Sequence, residues 1–143
     1  MSKEEIIIHG RAIYPGKAEG EALVSQMPMM GWGNVKVDEG FTVERDHPLY
    51  EVPFKDKVLA MPYTRGSGGF IMYGRTTSKG SNPCAMLITK SMSISIMTAM
   101  ILKQPTMTDF DRDPLEVLET GDYVYVNADE GYIRIIKGGL DEA

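Results

Sequence analysis

Apolar and polar positions alternate along this chain in short blocks, and the period of each block predicts an element. Glu5 to Ile13, EIIIHGRAI, is β-branched and apolar with polar interruptions, which predicts a first strand that Tyr14-Pro15-Gly16 turns. Gly20 to Ser25 predicts a second strand returning beside the first, so the chain is expected to open with a hairpin-like pair. Val58-Leu59-Ala60-Met61 is an apolar run stopped by Pro62, and Cys84 to Thr89, CAMLIT, is another; both read as buried strands. Between them, Phe70 to Thr77 carries enough consecutive apolar residues for two helical turns, closed by the breaker cluster Ser78-Lys79-Gly80-Ser81-Asn82-Pro83. Strand, helix and strand make a βαβ unit with parallel strands and a right-handed connection.

Ser91 to Lys103 has helical length and is apolar at Ile94, Met97, Ala99, Ile101 and Leu102, with Gln104-Pro105 as its stop. Its β-branched content leaves a strand as the alternative. Thr106-Met107-Thr108 follows as a third short strand, and Pro114 to Leu118 as one turn of helix. Thr120 to Ile136 is the clearest hairpin: Val124 and Val126 alternate with Tyr123, Tyr125 and Asn127, and Asp129-Glu130-Gly131 turns the chain into Tyr132 to Ile136. The sum is a mixed α/β domain with hairpins at both ends and βα units in the middle. Gln26 to Tyr50 keeps no period and holds three glycines, two prolines and Trp32; a loop of that length in a compact domain is functional or covered by a partner. Trp32 belongs either over the core or in an interface.

At 143 residues the chain is expected to form a single domain, residues 1–143. Fifteen Lys and Arg against twenty Asp and Glu give a net charge of −5, and no basic run with interleaved aromatics occurs, so nucleic acid is not an expected partner. No apolar run has the length of a membrane span, and Glu4-Glu5 ahead of three isoleucines does not make a signal peptide, so the expected location is cytoplasmic, with no membrane partner. Cys84 is the only cysteine, which excludes an internal disulfide and a cysteine-based metal or iron–sulfur site completed within the chain. Eleven methionines are many for this length; several cluster in Met27-Pro28-Met29-Met30, a loop that is a candidate contact surface, and others between Met86 and Met100.

The candidate chemistry lies in Arg65-Gly66-Ser67-Gly68-Gly69, between a buried strand and a helix start. Such a loop brings backbone N–H groups to an anionic ligand, and Arg65 adds a full positive charge. Ser67 is its only nucleophilic side chain and is fenced by glycines. The competing reading is a tight turn with a surface serine. Its position at the carboxyl end of a parallel strand is where βαβ units bind ligands. His47, held extended by Pro48, is a general acid or base, a ligand-orienting group or a residue hydrogen-bonded to its own loop. His9 reads as a partly exposed strand residue, and Asp109 to Asp113 as a solvated acidic turn without calcium-loop spacing.

The order HGRAIYPGKAEGEALVS, a Trp-Gly segment, RDHPL, KVLAMPYTRGSGG, CAMLIT and TGDYVYVNADEGYIRI resembles the swivel domain, or small subunit, of the aconitase X enzymes, from about Ile7 to Ile136. The resemblance implies a swivelling β/β/α domain, a β-sandwich-like layer with flanking helices. It also implies a dehydratase (hydro-lyase) subunit that docks on an aconitase X large subunit holding an iron–sulfur cluster, with a small hydroxy acid as substrate. Ser67 then resembles the catalytic serine, and Arg65, Gly66 and Gly68 fall at substrate-binding positions. Activities in the family include dehydration of phosphomevalonate by two-chain archaeal enzymes and of cis-3-hydroxy-L-proline by bacterial ones. Two departures touch substrate contacts: the serine pair usual after Arg-Gly is Ser67-Gly68 here, and the tryptophan loop reads Trp32-Gly33-Asn34-Val35-Lys36-Val37. The alternative class is a non-catalytic swivel or carrier module, which the presence of Ser67 where a phosphohistidine carrier needs His disfavours.

Overall fold

The structure is a computed structural model that describes residues 4–30, 35–65, 69–90 and 93–140. In chain order its strands are β1 (Glu5–His9), β2 (Arg11–Tyr14), β3 (Lys17–Val24), β4 (Met29–Met30), β5 (Val35–Lys36), β6 (Phe41–Thr42), β7 (Val58–Met61), β8 (Thr64–Arg65), β9 (Ala85–Ile88), β10 (Thr106–Thr108), β11 (Tyr123–Asn127) and β12 (Tyr132–Ile136). The helices are α1 (Gly69–Lys79), α2 (Ser93–Leu102) and α3 (Pro114–Val117).

Eight of the strands form one sheet in the order β1-β12-β11-β3-β7-β9-β10-β2. β1 and β2 stand at its two ends although only Gly10 separates them in sequence, so the sheet folds back on itself into two layers. β3 is the shared strand. Its first five residues pair antiparallel with β11 and its last three pair parallel with β7. At the corner, a Cβ on Gly10 would sit 2.7 Å from the Phe110 ring and 2.9 Å from the Thr108 carbonyl, so only glycine passes. The expected opening hairpin is therefore corrected: β1 pairs with β12 and β2 with β10, and neither lies beside β3.

One core fills the space between the two layers, with Ile8, Val124, Val126, Ile133 and Ile135 facing Ala22, Val58, Ala60, Leu87 and Met107, and with Leu115 and Leu118 closing one end. A second core lies on the outer side of the parallel strands: Leu59, Met61, Met86 and Ile88 are covered by Leu102 of α2 and by Val35, Leu49 and Phe54 of the long connection. Each residue of β7 and β9 is buried because both faces of these strands are covered, which explains why they read as continuous apolar runs rather than as alternation. Removing such a side chain from water is worth about 1.5–3 kcal/mol. β11 and β12 show the other pattern, valine and isoleucine inward, tyrosine and arginine outward, in the register Tyr123↔Ile136 to Asn127↔Tyr132.

The βαβ unit forms as expected: β7 and β9 are parallel neighbours, joined through α1. Gly80 at φ +75° ends α1, with its own N–H on the Thr77 carbonyl and the Ser81 N–H on the Thr76 carbonyl. α2 is a helix and packs along α1. The buried side of α2 is Ser95, Thr98, Ala99 and Leu102, and α1 comes close to α2 at Gly74, which lies against Ile101. Together these are two β layers and a helical layer, the β/β/α arrangement.

Candidate functional site

The site is built at the carboxyl ends of the parallel strands. β7 runs out through Pro62 and Tyr63 into β8, whose second residue is Arg65, and α1 begins four positions later at Gly69. The N–H groups of a helix's first turn have no partner within the helix. Gly66, Ser67 and Gly68 lie outside the described residues, and so does Trp32.

β8 does not stand alone. It pairs in parallel with β4, Met29 opposite Thr64 and Met30 opposite Arg65. The methionine loop and the arginine loop, which the sequence offers as separate candidates, thus form one two-stranded ribbon. Two neighbouring backbone bonds fasten its root, Thr89 N–H to the Met61 carbonyl at 3.3 Å and Lys90 N–H to the Pro62 carbonyl at 2.9 Å. Lys90 is exposed, with its ammonium 5.8 Å from the centre of the Tyr63 ring. The same end of the molecule has a cleft of about 250 Å³ lined by Thr89, Lys90, Phe110, Asp113 and Pro114. Lys90 escapes sequence reading because its place depends on β9 lying beside β7.

On the other side of the ribbon the chain leaves β3 at Ser25, whose N–H bonds the Ala60 carbonyl at 2.9 Å. The Ser25 hydroxyl donates to the Met27 carbonyl at 2.7 Å and accepts from the Met27 N–H at 3.1 Å, a local turn that starts the path to β4. His47 packs on this turn, only 4% exposed. Its Nε2 is 3.3 Å from Ser25 Oγ, and its Nδ1 accepts from the Leu49 N–H at 3.0 Å. Of the readings open for His47 in the sequence, the bond within its own loop is observed. The contact with Ser25 has no sequence signal, since the two residues are 22 apart.

The remaining candidates are accounted for locally. His9 is exposed and lies 3.6 Å from Asp111. Asp109 pairs with Arg11 at 2.7 Å, and Asp113 caps α3 by accepting from the Leu115 N–H. No group of three or more His, Cys, Asp or Glu among the described residues has the arrangement to hold a metal ion. Cys84 is partly buried. Burial first, and then the nearby charge of Asp56, push its thiol up to about 11, and its Sγ–H points at the Glu19 carbonyl 3.6 Å away. With Cys84 as the single cysteine of the sequence, the set of thiolates that an iron–sulfur cluster needs cannot be completed by this chain. A larger cleft of about 350 Å³, lined among others by Lys17, Glu19, Tyr125 and Tyr132, opens at the amino end of β3 and contains none of the candidate residues.

Comparison with known proteins gives this geometry a family context. The family model described as the aconitase X swivel domain matches residues 7–135. The phosphomevalonate dehydratase small subunit of Methanosarcina mazei is 37% identical over 136 residues, covering 94% of each chain. The Pyrococcus furiosus protein of the same name is 30% identical, over 92% of this chain and 97% of that one. Among solved structures, the crystal structure of Thermococcus kodakaraensis aconitase X in its holo-form superposes with a TM-score of 0.85 at 28% identity, over 92% of this chain and 99% of that chain.

Proposed function

Because the chain belongs to the aconitase X swivel-domain family, we propose that it is the small subunit of a hydro-lyase, a single swivel domain spanning residues 1–143 that works only when docked on a large subunit. The observation that carries this reading is the match along 94% of both chains to a relative named as a phosphomevalonate dehydratase small subunit. The same name recurs in further relatives, which favours phosphomevalonate as the substrate over cis-3-hydroxy-L-proline. Location in the cytoplasm fits this role, and no helix among the described residues is long and apolar enough to cross a membrane.

Loss of water from a β-hydroxy acid breaks a C–H bond next to the carboxylate, turns its electron pair into a C=C bond and expels hydroxide from the neighbouring carbon. A base must therefore face the acidic carbon. We assign that base to Ser67, acting as an alkoxide that takes the proton on Oγ. An alkoxide needs positive surroundings, which the first-turn N–H groups of α1 and the guanidinium of Arg65 supply. Gly66 and Gly68 leave room for substrate beside the backbone. Arg65 also suits a substrate carboxylate or phosphate, both of which take an arginine fork in two parallel hydrogen bonds. The departing hydroxide requires a Lewis acid, and since one cysteine cannot ligate a cluster alone, we assign it to an iron–sulfur cluster on the large subunit.

Steady-state kinetics of the assembled enzyme test the assignment. Ser67→Ala removes the proton acceptor and leaves the loop backbone as it is, so kcat is expected to fall about 10²–10⁴-fold while assembly is retained. Arg65→Ala is expected to raise KM as well as lower kcat, since its charge meets substrate and transition state alike. Turnover within about twofold of the parent in Ser67→Ala would end the catalytic assignment.

A further inference from the structure

We infer that His47 is a positioning residue for this site, a buried neutral imidazole that fixes the β4–β8 ribbon and through it the strand that ends at Arg65; the inference rests on the reading of the Arg65–Gly69 loop given above.

The protonation of the ring follows from its partners. Leu49 N–H, 3.0 Å from Nδ1, can only donate, so Nδ1 carries the lone pair and the proton sits on Nε2. That Nε2–H lies 3.3 Å from Ser25 Oγ and 3.4 Å from the Met27 carbonyl and is shared between them. Both nitrogens are thereby engaged with uncharged groups in a place that is 4% exposed. Such a ring is not free to shuttle protons. It is a clamp.

What it clamps is the point where the chain departs from the main sheet. Ser25 is the last rung between β3 and β7, through its N–H on the Ala60 carbonyl, and its hydroxyl bonds both the N–H and the carbonyl of Met27. Two residues later β4 begins, and it pairs with β8, Met30 opposite Arg65. From His47 to Arg65 the connection thus runs from the imidazole by hydrogen bonds to the Ser25–Met27 turn, along the chain through Pro28 into β4, and across the ladder to β8. Leu49, on the other side of the ring, is buried in the outer core at 5% exposure, which anchors the clamp to the body of the domain. A catalytic loop misplaced by about 1 Å loses about 10²-fold in rate, which is the reason a rigid support for β8 matters.

Two half-mimics of histidine separate this role from simple loop stability. In His47→Asn the side-chain oxygen lies close to where Nδ1 does and still accepts the Leu49 N–H in an Asx-type turn, but nothing reaches Ser25 and Met27. In His47→Gln the terminal amide nitrogen reaches the Met27 carbonyl, and the local acceptor for Leu49 is lost. Positioning predicts that activity and stability part company. His47→Asn in the assembled enzyme should lower kcat/KM about 10–100-fold with a thermal midpoint near the parent's, and His47→Gln should recover most of kcat/KM although it melts lower. Activities that simply follow the order of thermal stability, with His47→Asn near normal, would overturn the inference. Hydrogen exchange on the full chain without its partner supplies a readout that needs no turnover: the amides of Gln26, Met27, Met29 and Met30 should exchange faster in His47→Asn than in the parent or in His47→Gln. Unchanged exchange there would also overturn it. Should Ser67→Ala prove fully active, the catalytic assignment alone falls, because the exchange measurement still decides whether His47 holds the ribbon.

Discussion

At Gly74 the packing of α1 on α2 leaves no space for a methyl group: a Cβ there would stand 2.0 Å from Cγ2 of Ile101 and 3.5 Å from its Cβ. Ile101 is β-branched and held to one rotamer in a helix, so it cannot swing aside freely. Gly74→Ala should therefore cost about 1–3 kcal/mol by overpacking, against the small gain that alanine normally brings to a helix. Ile101→Ala in the same chain should recover most of the loss, a coupling that a denaturant-based double-mutant cycle measures. Additive effects of the two substitutions would show that the helices do not meet there. Arg65 and Ser67 were legible as candidates from sequence because glycines isolate them after a strand. Ser25 was not, since nothing marks a serine whose partner is a histidine in a different loop. The same holds for Lys90, whose relevance comes from its neighbour strand.

Among elements, the root of the closing hairpin is held by the Lys137–Asp122 ion pair, and the same Lys137 ammonium ties it to α3. Lys137 Nζ is 2.6 Å from Asp122 Oδ2 and 2.6 Å from the Val117 carbonyl, while Asp122 also accepts from the N–H groups of Glu119 and Gly138. Burial pushes the Asp122 carboxyl up, but the Lys137 ammonium and these two backbone donors outweigh it and hold the group below the ordinary carboxylate value. A carboxylate whose folded-state value is depressed stabilises the fold above its unfolded value, and that stability is lost as the pH drops through both. Thermal stability is accordingly expected to fall below about pH 4, and Asp122→Asn should lower it at neutral pH and flatten the acid limb. An acid limb of parental steepness in Asp122→Asn would contradict this. The hairpin and the βαβ unit could be read from sequence because their contacts are local and their periods clean. The placing of β1 and β2 could not: β1 pairs with β12 and β2 with β10, both far along the chain, and the single residue that permits the split is Gly10. For α2 the sequence predicted the helix but not its buried side, Ser95, Thr98, Ala99 and Leu102, which leaves Ile96, Met97 and Met100 facing outward.

Those outward residues matter for the whole molecule. Ile96, Met97 and Met100 are 40%, 44% and 54% exposed, on a helix with no charged side chain from Ser93 to Leu102. Met27, before the ribbon, is 41% exposed. α2 packs against β8, and an exposed apolar surface of this kind calls for cover by another protein. We assign that cover to the large subunit, since it must already reach the Arg65–Gly69 loop for the proposed chemistry. Met97→Asp with Met100→Asp should weaken assembly at least about tenfold while leaving the lone chain folded, as read by titration of one subunit into the other. Unaltered affinity, or loss of a homodimer instead, would place the interface elsewhere. The most direct test of the account is turnover after mixing. The large subunit and this chain are prepared separately without oxygen and assayed for loss of water from phosphomevalonate, alone and together. The account predicts no turnover from either chain alone and turnover at a saturating one-to-one ratio, with the absorbance of an iron–sulfur cluster travelling with the large subunit. Turnover by the large subunit alone, undiminished by leaving this chain out, would contradict it.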